Sequence, residues 1–203
     1  MPKPFLRLRL LKLLTIHRPL IVQGAPSEES GLLLTADHPV FIDGPLLGLA
    51  VRRPLLFGVD PDYAHKAPWN PLLRVYATLF GHAFVSLSPT EPFALRTLGR
   101  HLDVGGAVCL FPEGAVRRGG PPRPWGTGAR WLAHHARLWQ HVTLTGTEGG
   151  LLNHAPLHLV FATPRAPSSL FVPHPDQPLE GSGCVPSSRR SKSSTATISS
   201  TRS

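Results

Sequence analysis

The stretch Leu32–Leu49, LLLTADHPVFIDGPLLGL, constrains the fold more than any other part of the chain. Three leucines and a threonine read as a short buried strand. Asp37 and His38 break the run, Pro39 follows, and a second apolar run begins after Asp43, Gly44 and Pro45. A strand that ends in a polar turn and passes into a helix is the repeating unit of α/β sheets, whose ligands bind beyond the carboxyl ends of the strands. The unit recurs along the chain. Pro19–Gly24, Leu55–Val59, Ala83–Leu87, Ala107–Phe111 and His141–Thr145 also read as strands. Pro45–Val51, Pro71–Phe80, Phe93–Asp103 and part of Trp125–Trp139 read as helices, with Gly105-Gly106 capping the third. Asp60–Asn70, rich in proline and charge, reads as a loop. The alternation predicts an α/β fold with a mostly parallel, twisted sheet flanked by helices.

Two strand ends carry chemistry. His38 and Asp43 form an H-x4-D pair, with His38 the candidate general base and Asp43 the carboxylate that orients it. Imidazole suits the task because it titrates near neutrality and a partner on one ring nitrogen fixes the tautomer. Five residues of ideal helix turn roughly 140° beyond a full turn, so the two side chains meet only if the segment bends. Pro39, Gly44 and Pro45 permit that bend. The second constellation is Phe111-Pro112-Glu113-Gly114, where Gly114 would let a backbone N–H approach an anion. Arg117 and Arg118 follow within reach of a phosphate, although a plain turn beside a solvated basic run accounts for this segment as well.

The 203 residues make one domain of ordinary size. A formal charge of +9 calls for an anionic partner. The excess is arginine scattered among leucine and proline, which fits a lipid headgroup surface better than a nucleic-acid groove. Residues 1–18 begin MPKPFLRLRLLKLL, too interrupted by Arg7, Arg9 and Lys12 for a signal peptide or a membrane span. As a helix this segment either lies on an anionic membrane surface or packs as an ordinary first helix. Cys109 reads as a small buried hydrophobe, and with only Cys184 besides it no disulfide framework or zinc site is expected. Gly126-Thr127-Gly128 reads as a turn entering a helix, and His134, His135 and His141 as scattered surface histidines. Gly181–Ser203, almost devoid of apolar residues, reads as a disordered tail.

The two motifs, HPVFID with FPEG about seventy-five residues later, resemble the signatures of the glycerolipid (1-acylglycerol-3-phosphate/lysophospholipid) acyltransferase family. More narrowly, HPVFIDGPLLGL, VRRPLLFGV, FVSLSPTEP, CLFPEG and GTGARWLA resemble the branch formed by the acyltransferase half of bifunctional 2-acylglycerophosphoethanolamine acyltransferase/acyl-carrier-protein synthetases. The likeness runs from about Pro19 to Leu159. It implies an acyltransferase domain over residues 1–180, peripheral on the cytoplasmic face of a membrane. It also implies transfer of a fatty acyl chain from acyl-carrier protein or acyl-CoA to the free hydroxyl of a lysophospholipid, with no cofactor and no metal. His38 would be the base and Asp43 its support, while Glu113, Gly114 and Arg117 would hold the acceptor. Lysophosphatidylethanolamine is the expected acceptor, with lysophosphatidic acid the alternative and a catalytically inactive lipid-binding homologue a third reading. The chain departs from the family at four places: Asp37 stands where asparagine is common, the run AFVSLSPTEP lacks the arginine many members carry after that strand, Val116 stands where arginine often follows the second motif, and His141 where the last strand carries proline.

Overall fold

Adjacent residues of a strand point to opposite faces of its sheet, and the central strand of this protein is apolar on both. Leu32, Leu34 and Ala36 pack into one core, while Leu33 packs into a second on the other side. The computed structural model describes residues 9, 18–37, 42–65, 69–88, 92–114, 124–147 and 155–167, all within the unit Met1–Val172. Seven strands form one sheet: β1 (Leu20–Gln23), β2 (Leu32–Ala36), β3 (Leu56–Val59), β4 (Ala83–Ser86), β5 (Ala107–Leu110), β6 (Leu138–Thr145) and β7 (Leu157–Phe161). The helices are α1 (Asp43–Ala50), α2 (Pro61–His65), α3 (Trp69–Phe80), α4 (Pro92–Asp103) and α5 (Thr127–Ala133).

The strand order is β1-β7-β6-β2-β5-β3-β4. Every neighbouring pair is parallel except β6–β7. β6, β2, β5, β3 and β4 therefore run the same way, and their carboxyl ends share one edge. Leu46 and Leu47 of α1 cover the face that carries Leu34, Cys109 and Val142. Leu98 and Leu102 of α4, with Ala129, Leu132 and Ala133 of α5, cover the opposite face against Leu33, Val108 and Leu110. The mostly parallel α/β architecture with helices on both faces is the one the sequence predicts.

Local signals explain the boundaries. Gly105, at φ +87°, ends α4 in a Schellman motif: its N–H donates to Leu102 O at 2.9 Å and that of Gly106 to His101 O at 2.8 Å. His82 ties α1 to the start of β3. Its Nδ1 accepts from Leu55 N–H at 3.1 Å and its Nε2 faces Gly48 O at 2.9 Å, so the buried ring is neutral with the proton on Nε2. Arg18, also buried, donates to the carbonyls of Ala155 and Gly146.

Several expectations are corrected. The Asp60–Asn70 loop contains α2 and the first turn of α3, because Pro61 suits a helix start and Asn70 donates back to Ala64 O. α1 begins at Asp43 rather than Pro45, which puts a carboxylate in the first turn, where the helix dipole favours it. β6 starts three residues earlier than predicted, and β7 was not foreseen although Leu157, Leu159 and Phe161 alternate toward the core. Cys109 is fully buried, as its apolar surroundings suggest. Apart from Arg9, which is helical, and Arg18, the segment 1–18 lies outside the described residues, as do Cys184 and Gly181–Ser203.

Candidate active site

β2 and β5 are hydrogen-bonded neighbours running in parallel, with Thr35 opposite Leu110. Asp37 and Phe111-Pro112-Glu113 therefore leave the sheet side by side at its carboxyl edge. Strand order alone brings the carboxyl ends of β2 and β5 to one place, despite about seventy-five residues of intervening chain.

On the β2 side, Asp37 N–H donates to Val142 O at 3.3 Å, extending the pairing with β6 one residue past the end of β2. His38 lies outside the described residues. The chain is described again at Ile42, whose carbonyl accepts from Leu46 N–H at 3.0 Å to open α1. Asp43, in that first turn, is completely buried. On the β5 side, Phe111 to Gly114 make a tight turn closed by Gly114 N–H to Phe111 O at 3.0 Å. Gly114 has φ +72° and open space around its Cα, so backbone conformation rather than crowding asks for glycine there. Glu113 is half-buried. Pro112 O accepts from Gly126 N–H at 3.1 Å, which fastens this turn to the entrance of α5. Arg117 and Val116 lie outside the described residues.

The turn after β5 also touches α1. A Cβ built on Gly44 would stand 3.7 Å from Phe111 Cζ, an ordinary van der Waals contact, so the Phe111 ring lies against the first turn of α1. Phe111 belongs to the same apolar layer as Leu46 and Leu47.

Against the opposite face of the same edge is a polar group that the sequence reading missed. Trp139 Nε1 donates to Thr35 Oγ1 at 2.8 Å, and Thr35 Oγ1 lies 3.0 Å from His141 Nδ1. The other ring nitrogen, Nε2, lies 3.6 Å from Asp37 Oδ1. Trp125, just before α5, sits with its ring centroid 5.9 Å from that of Trp139 and 6.1 Å from that of His141. His141 is thus part of this edge rather than a scattered surface histidine. His135 differs, pairing with Asp103 at 3.0 Å. Gly126-Thr127-Gly128 enters α5, with Gly126 as its N-cap.

The fold settles one comparison. The crystal structure of the 1-acyl-sn-glycerophosphate (LPA) acyltransferase of Thermotoga maritima superposes with a TM-score of 0.55 over 80% of this chain and 71% of that one, at 18% sequence identity. The two share the same mostly parallel α/β fold. No family model matches the chain. A dihydroorotate dehydrogenase (quinone) of Polaromonas naphthalenivorans is 38% identical over 65 residues, which are 32% of this chain and 19% of that protein's length. An overlap that short carries no activity across.

Among the described residues, no helix is long and apolar enough to cross a membrane.

Proposed function

We propose that the protein is an acyltransferase that moves a fatty acyl chain from acyl-carrier protein or acyl-CoA to the free hydroxyl of a lysophospholipid. One observation carries the reading: on a glycerolipid-acyltransferase fold, the H-x4-D and F-P-E-G segments emerge from neighbouring parallel strands at one edge. His38 is the general base, Asp43 orients it, and Glu113, Gly114 and Arg117 receive the phosphate-bearing end of the acceptor. His38 takes the proton of the acceptor hydroxyl as its oxygen attacks the thioester carbonyl. Collapse of the tetrahedral intermediate breaks the C–S bond, and the imidazolium returns the proton to the departing thiolate. Asp43 steadies the transient imidazolium. Its burial excludes water from that interaction and strengthens it. No covalent acyl-enzyme enters the scheme, and no cofactor or metal is called for. The acceptor we favour is lysophosphatidylethanolamine, because the segment after β4, SLSPTEP, lacks an arginine for a bare phosphate monoester. Lysophosphatidic acid is the second reading, since the Thermotoga maritima enzyme is named for 1-acyl-sn-glycerophosphate. We place the protein at the cytoplasmic face of the membrane, held peripherally, where both lysolipid and thioester donor are at hand. Incubation with mixed lysolipids and a labelled acyl donor, read by mass spectrometry, tests the proposal. Labelled diacyl phospholipid supports it, and free labelled fatty acid alone contradicts it.

A further inference from the structure

A helix that covers a sheet needs one apolar face, and α3 has an apolar stripe besides. Its inner face is occupied: Phe80 is buried, and Tyr76 stacks on His82 while its hydroxyl donates to Pro45 O at 2.9 Å. Leu72, Val75 and Leu79 nevertheless stand 55%, 56% and 40% exposed. We propose that this stripe docks the protein on an anionic lipid surface, with α3 lying in the plane of the headgroups. The inference deepens the proposed function, on which it rests for why a lipid surface is visited at all, but its test needs no turnover.

The stripe follows from the spacing. With 3.6 residues per turn, Leu72, Val75 and Leu79 fall within roughly 60° of one another around the helix. Arg74 and Thr78, both exposed, take the next sector. The outer side of α3 is therefore divided lengthwise into an apolar and a polar half, the pattern of a helix at a lipid–water boundary. A single exposed leucine or valine would be unremarked on any protein surface. Among the described residues, the other large exposed apolar side chains, Phe93 and Val104 included, are not lined up three to an element.

Charge and size select the occupant. No acidic residue stands between Asp62 and Glu91, a stretch that includes the whole of α3 with Arg74 at its centre, and the chain as a whole carries a formal charge of +9. Each arginine near an anionic leaflet strengthens partition by roughly fivefold. A specific protein partner, a second copy included, is held by about 20–30 residues on each side, far more than one stripe of three. A lipid surface sets no such minimum, because apolar insertion and headgroup attraction add residue by residue. The placement also suits the site. Tyr76 sets α3 alongside α1, and α3 leads back into β4, so its first turns lie toward the carboxyl edge. Leu72, one turn before Tyr76, begins the stripe at the end nearer the two motif strands.

Vesicle co-sedimentation of the full chain tests this, with phosphatidylcholine alone or mixed with phosphatidylglycerol. The parent is expected to bind the mixed vesicles and to bind phosphatidylcholine weakly. Val75→Glu should weaken binding to mixed vesicles by at least about tenfold. Val104→Glu makes the same change of charge at a site 83% exposed, beyond the far end of α4, and should alter binding by less than about twofold. Leu72→Ser, which adds no charge, should weaken it severalfold. Thermal midpoints equal to the parent's confirm that the variants are folded, and hydrogen exchange in residues 69–80 should slow on mixed vesicles. Equal effects of Val75→Glu and Val104→Glu, no vesicle binding by the parent, or equal binding to both vesicle types would overturn the inference. So would a parent dimer that Val75→Glu dissociates, since the stripe would then belong to a second copy. If the parent binds vesicles through α3 but transfers no acyl group to any lysolipid, the docking surface stands and it is the proposed function that fails.

Discussion

The Phe111 ring rests on Gly44, 3.7 Å from where that residue's Cβ would be. Through this contact the turn after β5 braces the first turn of α1. Gly44→Ala should be accommodated without displacing Phe111, and the added methyl restrains the unfolded chain by about 0.4–1 kcal/mol. Gly44→Leu should push Phe111 aside. We expect an unchanged or slightly raised melting temperature for the first variant and a lowered one for the second, read by calorimetry.

Gly48, one helical turn further along α1, makes the contrasting case. A Cβ there would collide with the Tyr76 hydroxyl and come within 3.2 Å of Tyr76 Cζ. That hydroxyl donates to Pro45 O at 2.9 Å, and the ring is stacked on His82. Gly48→Ala should cost about 1–3 kcal/mol through overpacking. A chemical denaturation midpoint equal to that of Gly44→Ala would show that α1 is held less tightly than described.

His82 supplies the other half of that anchorage. His82→Ala leaves a buried N–H on Leu55 and a buried carbonyl on Gly48 without their partner, a loss of about 2–4 kcal/mol from two hydrogen bonds. Urea unfolding of the variant checks this. A loss below about 0.5 kcal/mol would contradict the hydrogen-bond assignment.

Cys109 gives a pH prediction with a definite sign. Burial pushes its thiol well above the ordinary range, so the native protein keeps that proton in alkali. The unfolded chain loses it above about pH 8.5, binds fewer protons than the native state, and is favoured as pH rises. The parent should lose about 1.4 kcal/mol of stability per pH unit above pH 9 relative to Cys109→Ala. Parallel denaturation curves for the two proteins would contradict it.

Much of the architecture was legible in the sequence because each strand is a short apolar run stopped by proline, glycine or a charge. β2 was read to the residue, since Asp37 ends it abruptly. The carboxyl-edge location of both motifs was legible for the same reason. What the sequence withheld was register. That Thr35 lies opposite His141 depends on β6 pairing with β2, and no local pattern around either residue announces it. Trp139 and His141 do share a face by alternation, but their polar partner lies more than a hundred residues away. β7 was missed because His158 interrupts a run too short to stand out. α2 was missed because proline and charge mask a single helical turn as loop.

The turn after β5 separates backbone from chemistry. Gly114→Ala strains a left-handed residue at a cost of about 1–2 kcal/mol, with no steric clash. Glu113→Gln leaves the turn's backbone hydrogen bonds in place. If this turn seats the acceptor, Glu113→Gln should raise KM for the lysolipid several-fold while KM for the thioester stays level. Equal shifts in both constants would remove Glu113 from the acceptor site.

The most direct test is acyl transfer by His38→Ala beside the parent, with a labelled thioester donor and lysophosphatidylethanolamine. The account predicts a fall in kcat of roughly a hundred- to ten-thousand-fold with the melting temperature preserved. Turnover by folded His38→Ala at the parent rate would contradict it.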